Sequence, residues 1–145
     1  MSDPIVKTRL IRDEGEKLIV YVDTRSNATG GIGHRIRPAD NLWPGEPITQ
    51  ACCDAWFEVD YAAALKAASA YPWYADLDAA RQRIVTCMIF NLGPSKFGEF
   101  KLCIAAIEKG DYTEVSAQML NSQWAVEVGN RAVIYARVME TGVWE

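Results

Sequence analysis

The run Ile84-Val85-Thr86-Cys87-Met88-Ile89-Phe90 sits inside a helical stretch from about Ala79 to Leu92 and is apolar nearly all round. A striped helix can lie on a surface, but one that is apolar on every side must be enclosed by other elements. The chain therefore needs a helical lobe built around this segment, which Gly93-Pro94 stops. Further helices are available to enclose it. One opens at Pro47-Ile48-Thr49 with Thr49 as N-cap, shows Cys52, Trp56, Val59 and Ala63 at helical spacing, and is broken by Tyr71-Pro72-Trp73. Another runs from about Lys96 to Lys109 and ends at Gly110, and Asp111 with Glu114 makes a capping-box-like start for the next. The last begins near Asn130 and stops at Gly142.

The amino-terminal third reads differently. Asp3 followed by Pro4 is an N-cap with proline at the first helical position, Val6 and Leu10 mark an apolar face, and Gly15 stops the helix. Leu18, Val20 and Val22 then alternate with Ile19 and Tyr21 in a strand-like run, and Asp23-Thr24-Arg25-Ser26-Asn27 is turn chemistry. Residues Arg35 to Pro47 form a loop rich in proline and polar residues that carries Trp43. The expected fold is α+β, a small N-terminal β-hairpin lobe packed beside a helical C-terminal lobe. With 145 residues, 50% of them hydrophobic, the chain can bury roughly 70% of its unfolded surface as one domain. Within that single domain, residues of about 13–48 make the β-rich lobe, and about 49–145 with the N-terminal helix 3–14 make the helical lobe.

Two carboxylates stand at the ends of the first elements. Glu14 falls at the C-terminal end of a helix, where unpaired carbonyls disfavour a negative charge, the direction a proton-donating acid requires. Asp23 falls where strand meets turn, and Thr29 follows it. Cleavage of a glycosidic bond needs one carboxylic acid to protonate the leaving oxygen and a second carboxylate, as base or nucleophile, on the opposite face of the sugar. Spacing alone leaves two readings open: a catalytic pair facing across a cleft, or two ordinary surface acids.

The surrounding motifs favour the first reading. They are Asp13-Glu14-Gly15 at the helix end, Asp23 at the strand end, Thr29 in the hairpin, and Gly31-Ile32-Gly33-His34. Phe90-Asn91-Leu92-Gly93, Phe100, Gly110-Asp111-Tyr112, Trp124, Asn130-Arg131 and Gly142-Val143-Trp144 extend the pattern over nearly the whole chain. This pattern resembles that of the phage-type lysozymes, glycoside hydrolase family 24. The resemblance implies a muramidase that hydrolyses the β-1,4 bond between N-acetylmuramic acid and N-acetylglucosamine of bacterial peptidoglycan with inversion. Glu14 would be the general acid, and Asp23 with Thr29 would handle the water. By the same resemblance Arg131 reaches Glu14, while Asn91 and Trp124 line the cleft behind the scissile bond. Arg35, Phe90, Cys103 and Gln118 fall on positions that touch substrate, and only Phe90 keeps the usual residue type. The resemblance also makes the helix opening at Thr49 the long helix that joins the small β-hairpin lobe to the helical C-terminal lobe, and Asp60 on it would pair His34. Two positions depart from the pattern: the usual hairpin glycine is Ser26, and an apolar position after the threonine is Gly30. If the turn needs a positive φ at position 26, serine suits it poorly, and Asn27 is the neighbour that could take that conformation instead.

The rest of the sequence bounds the context. The only histidine is His34, and Cys52, Cys53, Cys87 and Cys103 show neither metal-ligand spacing nor a redox pair. They read as free, mostly buried thiols, and neither metal nor organic cofactor is implied. Met1-Ser2-Asp3-Pro4 is not the start of an export signal, and no apolar stretch reaches 18 residues, so neither a leader nor membrane insertion is expected. A formal net charge of −4 offers no attraction to nucleic acid or to an anionic wall. The implied setting is a monomeric, phage-encoded lysis enzyme that stays in the host cytoplasm until a separate holin permeabilises the membrane, then works at the periplasm and cell wall. A virion-borne enzyme is the other setting. Two rivals are a lytic transglycosylase, which cleaves the same bond without an attacking water, and a non-enzymatic wall-binding or virion protein.

Overall fold

Asp3 caps the first helix, α1 (Pro4–Glu14), its carboxylate accepting the Ile5 N–H at 2.9 Å, in the computed structural model, which describes all 145 residues. Two compact units divide the chain, Met1–Ala63 and Ala64–Glu145. The first holds α1, the sheet and the opening of the long helix. Here α1 falls in the same unit as the sheet, whereas the sequence reading grouped residues 3–14 with the helical lobe.

Strands β1 (Lys17–Val22), β2 (Ala28–Gly31) and β3 (His34–Arg35) form an antiparallel sheet in that order. Tyr21 pairs with Thr29 and Thr29 with Arg35, while Gly30 pairs with His34. The alternation read in β1 would bury Leu18, Val20 and Val22 together, yet only Val20 is buried. An irregularity of register between Lys17 and Tyr21 breaks the alternation. The outer edge of β1 is strapped by the segment that leads into the next helix. Gly45 donates to the Val20 carbonyl at 2.8 Å, Val20 to Glu46 at 2.9 Å and Ile48 to Leu18 at 2.9 Å.

Helix α2 (Gln50–Ser69) starts as expected, with Thr49 Oγ1 accepting the Cys52 N–H at 3.1 Å. Its buried stripe, however, is Cys53, Phe57, Tyr61, Ala64 and Ala68, turned round the helix from the expected Cys52, Trp56, Val59 and Ala63. Both stripes have helical spacing, because the helix carries the doublets Cys52-Cys53 and Trp56-Phe57 side by side. Val59, at 60% exposed, lies on the open side. Within the first unit α1 is tied to α2 by Ser2, which donates to both Glu58 carboxylate oxygens, and by Lys7, whose Nζ lies 5.3 Å from the Phe57 ring centre.

The second unit is built on α3 (Ala79–Leu92), capped by Asp78, with every residue from Ile84 to Ile89 buried. Two helices replace the single one read from Lys96 to Lys109: α4 (Pro94–Gly98) and α5 (Lys101–Lys109). The break at Gly98-Glu99-Phe100 lets Phe97 meet Tyr71 edge-on at 5.7 Å and Phe100 meet Trp124 at 6.3 Å, so aromatic packing overrides helix continuation. Helix α6 (Tyr112–Leu120) starts at Asp111, which accepts the Glu114 N–H. Ser122 caps a short α7 (Gln123–Val128) that the sequence reading passed over, and α8 (Asn130–Thr141) ends at Gly142. Contacts of α3 with α4 and α8, and of α8 with α6 and α7, enclose the apolar helix. A small sheet unit and a helical unit make the fold α+β. No helix is long and apolar enough to cross a membrane.

Candidate active site

Glu14 is the last residue of α1, and the sheet comes to meet it. An added Cβ on Gly33 would lie 3.1 Å from each of Glu14 Cβ, Cγ and Oε2, and Gly33 has a φ of +63°. Glycine at 33 thus satisfies two demands at once: a left-handed backbone in the β2–β3 turn and room for the Glu14 side chain. One residue earlier, Asp13 is held by Arg9 in a nearly buried ion pair, with Nε donating at 3.0 Å to Oδ2. This pair fixes the helix end that presents Glu14.

Asp23 closes β1 and starts the hairpin turn. Its Oδ1 accepts the backbone N–H of Asn27 at 2.8 Å and of Arg25 at 2.9 Å. The Asn27 N–H is the larger influence, and together with the Arg25 N–H and the positive charge of Arg35 it holds the Asp23 carboxyl below its ordinary value against partial burial. Asp23 is therefore a carboxylate that stays ionised. In the turn, Ser26 itself adopts the positive φ, +64°, and Asn27 does not take it over.

Tyr21, Thr29 and Arg35 are cross-strand neighbours, so their side chains share one face of the sheet. Asp23 follows Tyr21 by two residues. Thr29 is buried, and its hydroxyl donates to the Asn27 carbonyl at 3.0 Å. The Tyr21 phenol is shifted upward, first by burial and then by the negative charges of Glu14 and Asp23. One hydroxyl thus lies in the field of both acids. Sequence reading missed Tyr21 as a site residue, although its position two before Asp23 in a strand was enough to place it on this face.

The other face of the sheet packs on α2. His34 stacks on Trp56 with ring centres 4.2 Å apart, and a Cβ on Gly30 would meet Ile48 Cδ1 at 2.3 Å. The apolar side chain expected after Thr29 is therefore replaced by Ile48 reaching in from the strap. His34 Nδ1 lies 2.7 Å from Asp60 and Nε2 3.1 Å from Asp40. A protonated ring can donate from both nitrogens at once, one to each carboxylate, whereas a neutral ring can donate from only one. Burial pulls the His34 pKa down, but the two carboxylates outweigh it and the net shift is upward. Asp60 is the partner expected, whereas Asp40 is a second one that no local spacing announced. Asp40 itself belongs to a single helical turn, Pro38–Asp40, and also accepts the Arg37 N–H at 2.7 Å. Burial would raise its carboxyl, but that N–H and the charge of His34 lower it overall.

The remaining candidates lie in the second unit. Asn91, near the end of α3, accepts the Trp124 indole N–H at 2.9 Å, and Trp124 is buried. Phe90, beside Asn91, is half-buried, and Arg131 is the second residue of α8, also half-buried. Gln118 on α6 turns its amide to Glu114 at 2.7 Å on the same helix. Cys103 on α5 is 3% exposed, and burial pushes its thiol up to about 12, so it remains a neutral, buried packing group. All four cysteines are free thiols, three of them buried. His, Cys, Asp and Glu side chains form no group of three that could hold a metal ion.

The fold is thus α+β, with a helix-end glutamate set against a glycine turn and a strand-end aspartate held ionised by backbone N–H groups; comparison with known proteins assigns it to the lysozyme class of glycosidases. The chain belongs to the phage lysozyme family, whose model matches residues 12–138. Two relatives from Dictyostelium discoideum, the probable T4-type lysozymes 1 and 2, are 33% and 29% identical to it, each alignment covering 94% of both chains.

Proposed function

We propose that the protein is a muramidase that hydrolyses the β-1,4 bond between N-acetylmuramic acid and N-acetylglucosamine in peptidoglycan. Glu14 protonates the leaving glycosidic oxygen. Asp23, held ionised, takes a proton from the attacking water or orients it, with Thr29 as its partner. The observation that carries this reading is the unlike setting of the two acids. Asp23 accepts two backbone N–H groups that keep it charged, whereas Glu14 ends a helix against a turn stripped of side chain. Two carboxyl groups in different surroundings can divide the roles of acid and base. A water between them attacks from the face opposite the leaving group, which inverts the anomeric centre and needs carboxyls roughly 6.5–9.5 Å apart.

In this reading the chain acts as a monomer in phage-driven lysis. It waits in the host cytoplasm until a separate holin opens the membrane. The test is a turbidity assay on permeabilised Gram-negative cells, followed by product analysis. Clearing with new reducing ends, and an α anomer as the first-formed product by proton NMR, is the expected result. Anhydromuramic ends would mark a transglycosylase instead, and no clearing would leave a wall-binding protein.

A further inference from the structure

Glu14 stands at the least secure place in a helix. Helix ends fray, and α1 ends in two acids, Asp13 and Glu14, beside the unpaired carbonyls of its last turn, which disfavour negative charge. Gly15, with φ at +76°, then turns the chain out of the helix. Directly behind Glu14, the side chains of Arg9 and Asp13 are only 6% and 4% exposed. The guanidinium grips the carboxylate as a fork, Nε donating to Oδ1 at 3.1 Å and to Oδ2 at 3.0 Å while Nη2 also donates to Oδ1.

As a source of stability this pair is poorly built. Both charges leave water to meet, a desolvation that well-packed apolar residues of similar size would avoid. The cation precedes the anion along the helix, the less favourable order for residues four apart, and the anion sits at the negative end of the helix dipole. What the pair does provide is geometry. Asp13 is joined to Glu14 through the chain, so a fork that fixes Asp13 also fixes the peptide plane from which Glu14 departs. On its other side, Glu14 runs so close to the Gly33 turn that a Cβ there would lie 3.1 Å from its Cβ, Cγ and Oε2.

We propose that Arg9 is a positioning residue for the general acid: it acts through Asp13 to keep the last turn of α1 wound, and the buried pair serves the aim of Glu14 rather than the stability of the fold. The inference rests on the muramidase reading and adds to it a residue more than one helical turn behind the chemistry.

The experiment replaces the pair in the full chain by apolar residues. Arg9→Met/Asp13→Leu removes both charges together, so neither is left buried alone as it would be in a single variant. Its unfolding midpoint in denaturant should equal or exceed that of wild type. Its kcat on soluble peptidoglycan fragments should fall roughly 10- to 100-fold, the loss expected when a reacting group is misplaced by on the order of 1 Å. KM should stay within about twofold, because the pair touches the acid and not the sugar. Arg9→Lys keeps the charge without the fork, and its kcat should lie between wild type and the double variant. A double variant with kcat within about threefold of wild type overturns the inference, as does a loss carried by KM alone. A double variant that loses stability and rate together, or fails to fold, also overturns it, since the pair is then a structural prop only. In all these cases wild type still cleaves and the muramidase reading stands, whereas failure of wild type to cleave overturns both.

Discussion

Gly33 is the residue at which backbone conformation and chemistry make the same demand. With φ at +63° and a would-be Cβ 3.1 Å from three Glu14 atoms, Gly33→Ala should cost about 1–2 kcal/mol for the left-handed backbone. It should also push the acid off line, and a displacement on the order of 1 Å costs roughly 10²-fold in rate. Denaturant unfolding and lytic rate measured together test this. A fully active Gly33→Ala would show that Glu14 does not need the space. For the acid itself, Glu14→Gln keeps the volume but cannot donate a proton, a contribution worth roughly 10² to 10⁴ in rate. Activity within threefold of wild type, in a protein with unchanged unfolding, would sink that role. At this scale the sequence was readable where one residue makes its own geometry, as at Asp3, Gly15 and Thr49. It was unreadable where the geometry is set from afar. Ser26 takes the left-handed φ because the hairpin requires it there, although Asn27 is the better residue for it.

Between elements, the sheet is fastened to α2 by steric fit on one side and by charge on the other. Gly30→Ala would drive a methyl into Ile48 Cδ1, 2.3 Å away and itself buried, at about 1–3 kcal/mol for overpacking. Ile48→Val, which removes that carbon, should cost about 0.5–1.5 kcal/mol alone. The double variant should lose less than the two single losses added, and simple additivity would show that the two groups do not compete for one space. The charged fastening is His34 between Asp40 and Asp60. Because the folded His34 pKa is raised, its contribution is complete below the unfolded value of about 6.5 and vanishes as pH rises through the folded one. Because the Asp40 pKa is lowered, its share is complete above about 3.9 and vanishes as pH falls through the lowered value. The clamp therefore stabilises most between about pH 4 and 6.5. Asp60→Asn should cost more stability at pH 5.5 than at pH 9, measured by denaturant unfolding, and a His34 pKa at or below about 6.5 by NMR titration would refute the clamp. Most element starts and stops were legible because caps and breakers are local chemistry, whereas the break at Gly98-Glu99-Phe100 was not, because distant aromatic partners set it. The buried stripe of α2 was not, since two adjacent stripes satisfy the same period and only the partner decides between them. Helix α7 was passed over because one serine cap and six residues give little periodicity.

At the scale of the molecule, charge works against an anionic substrate. A chain of formal net charge −4 approaches an anionic wall against a repulsive field, which salt screens within about 10 Å at 0.1 M. Clearing of permeabilised cells should hold or quicken as ionic strength rises from about 0.01 M to 0.1 M. A steep slowing over that range would mean that attraction to the wall, through some local basic patch, governs the encounter. The α+β class was legible from two features of different range, the all-round apolar helix and the short alternating strand. The division at Ala63–Ala64 was not, because it falls inside α2, where neither glycine nor proline marks it. The strap along β1 carries a last consequence. Leu18, Ile19 and Val22 are 43–54% exposed on a strand whose outer row of amides and carbonyls would otherwise be open to any passing chain. By occupying that row, residues 45–48 deny it to other copies, and they do so with Pro47 opposite Ile19, a residue with no N–H to offer onward. The strap is thus a closed edge as well as a path into α2, and a chain that lost it would offer β1 as a template for another strand.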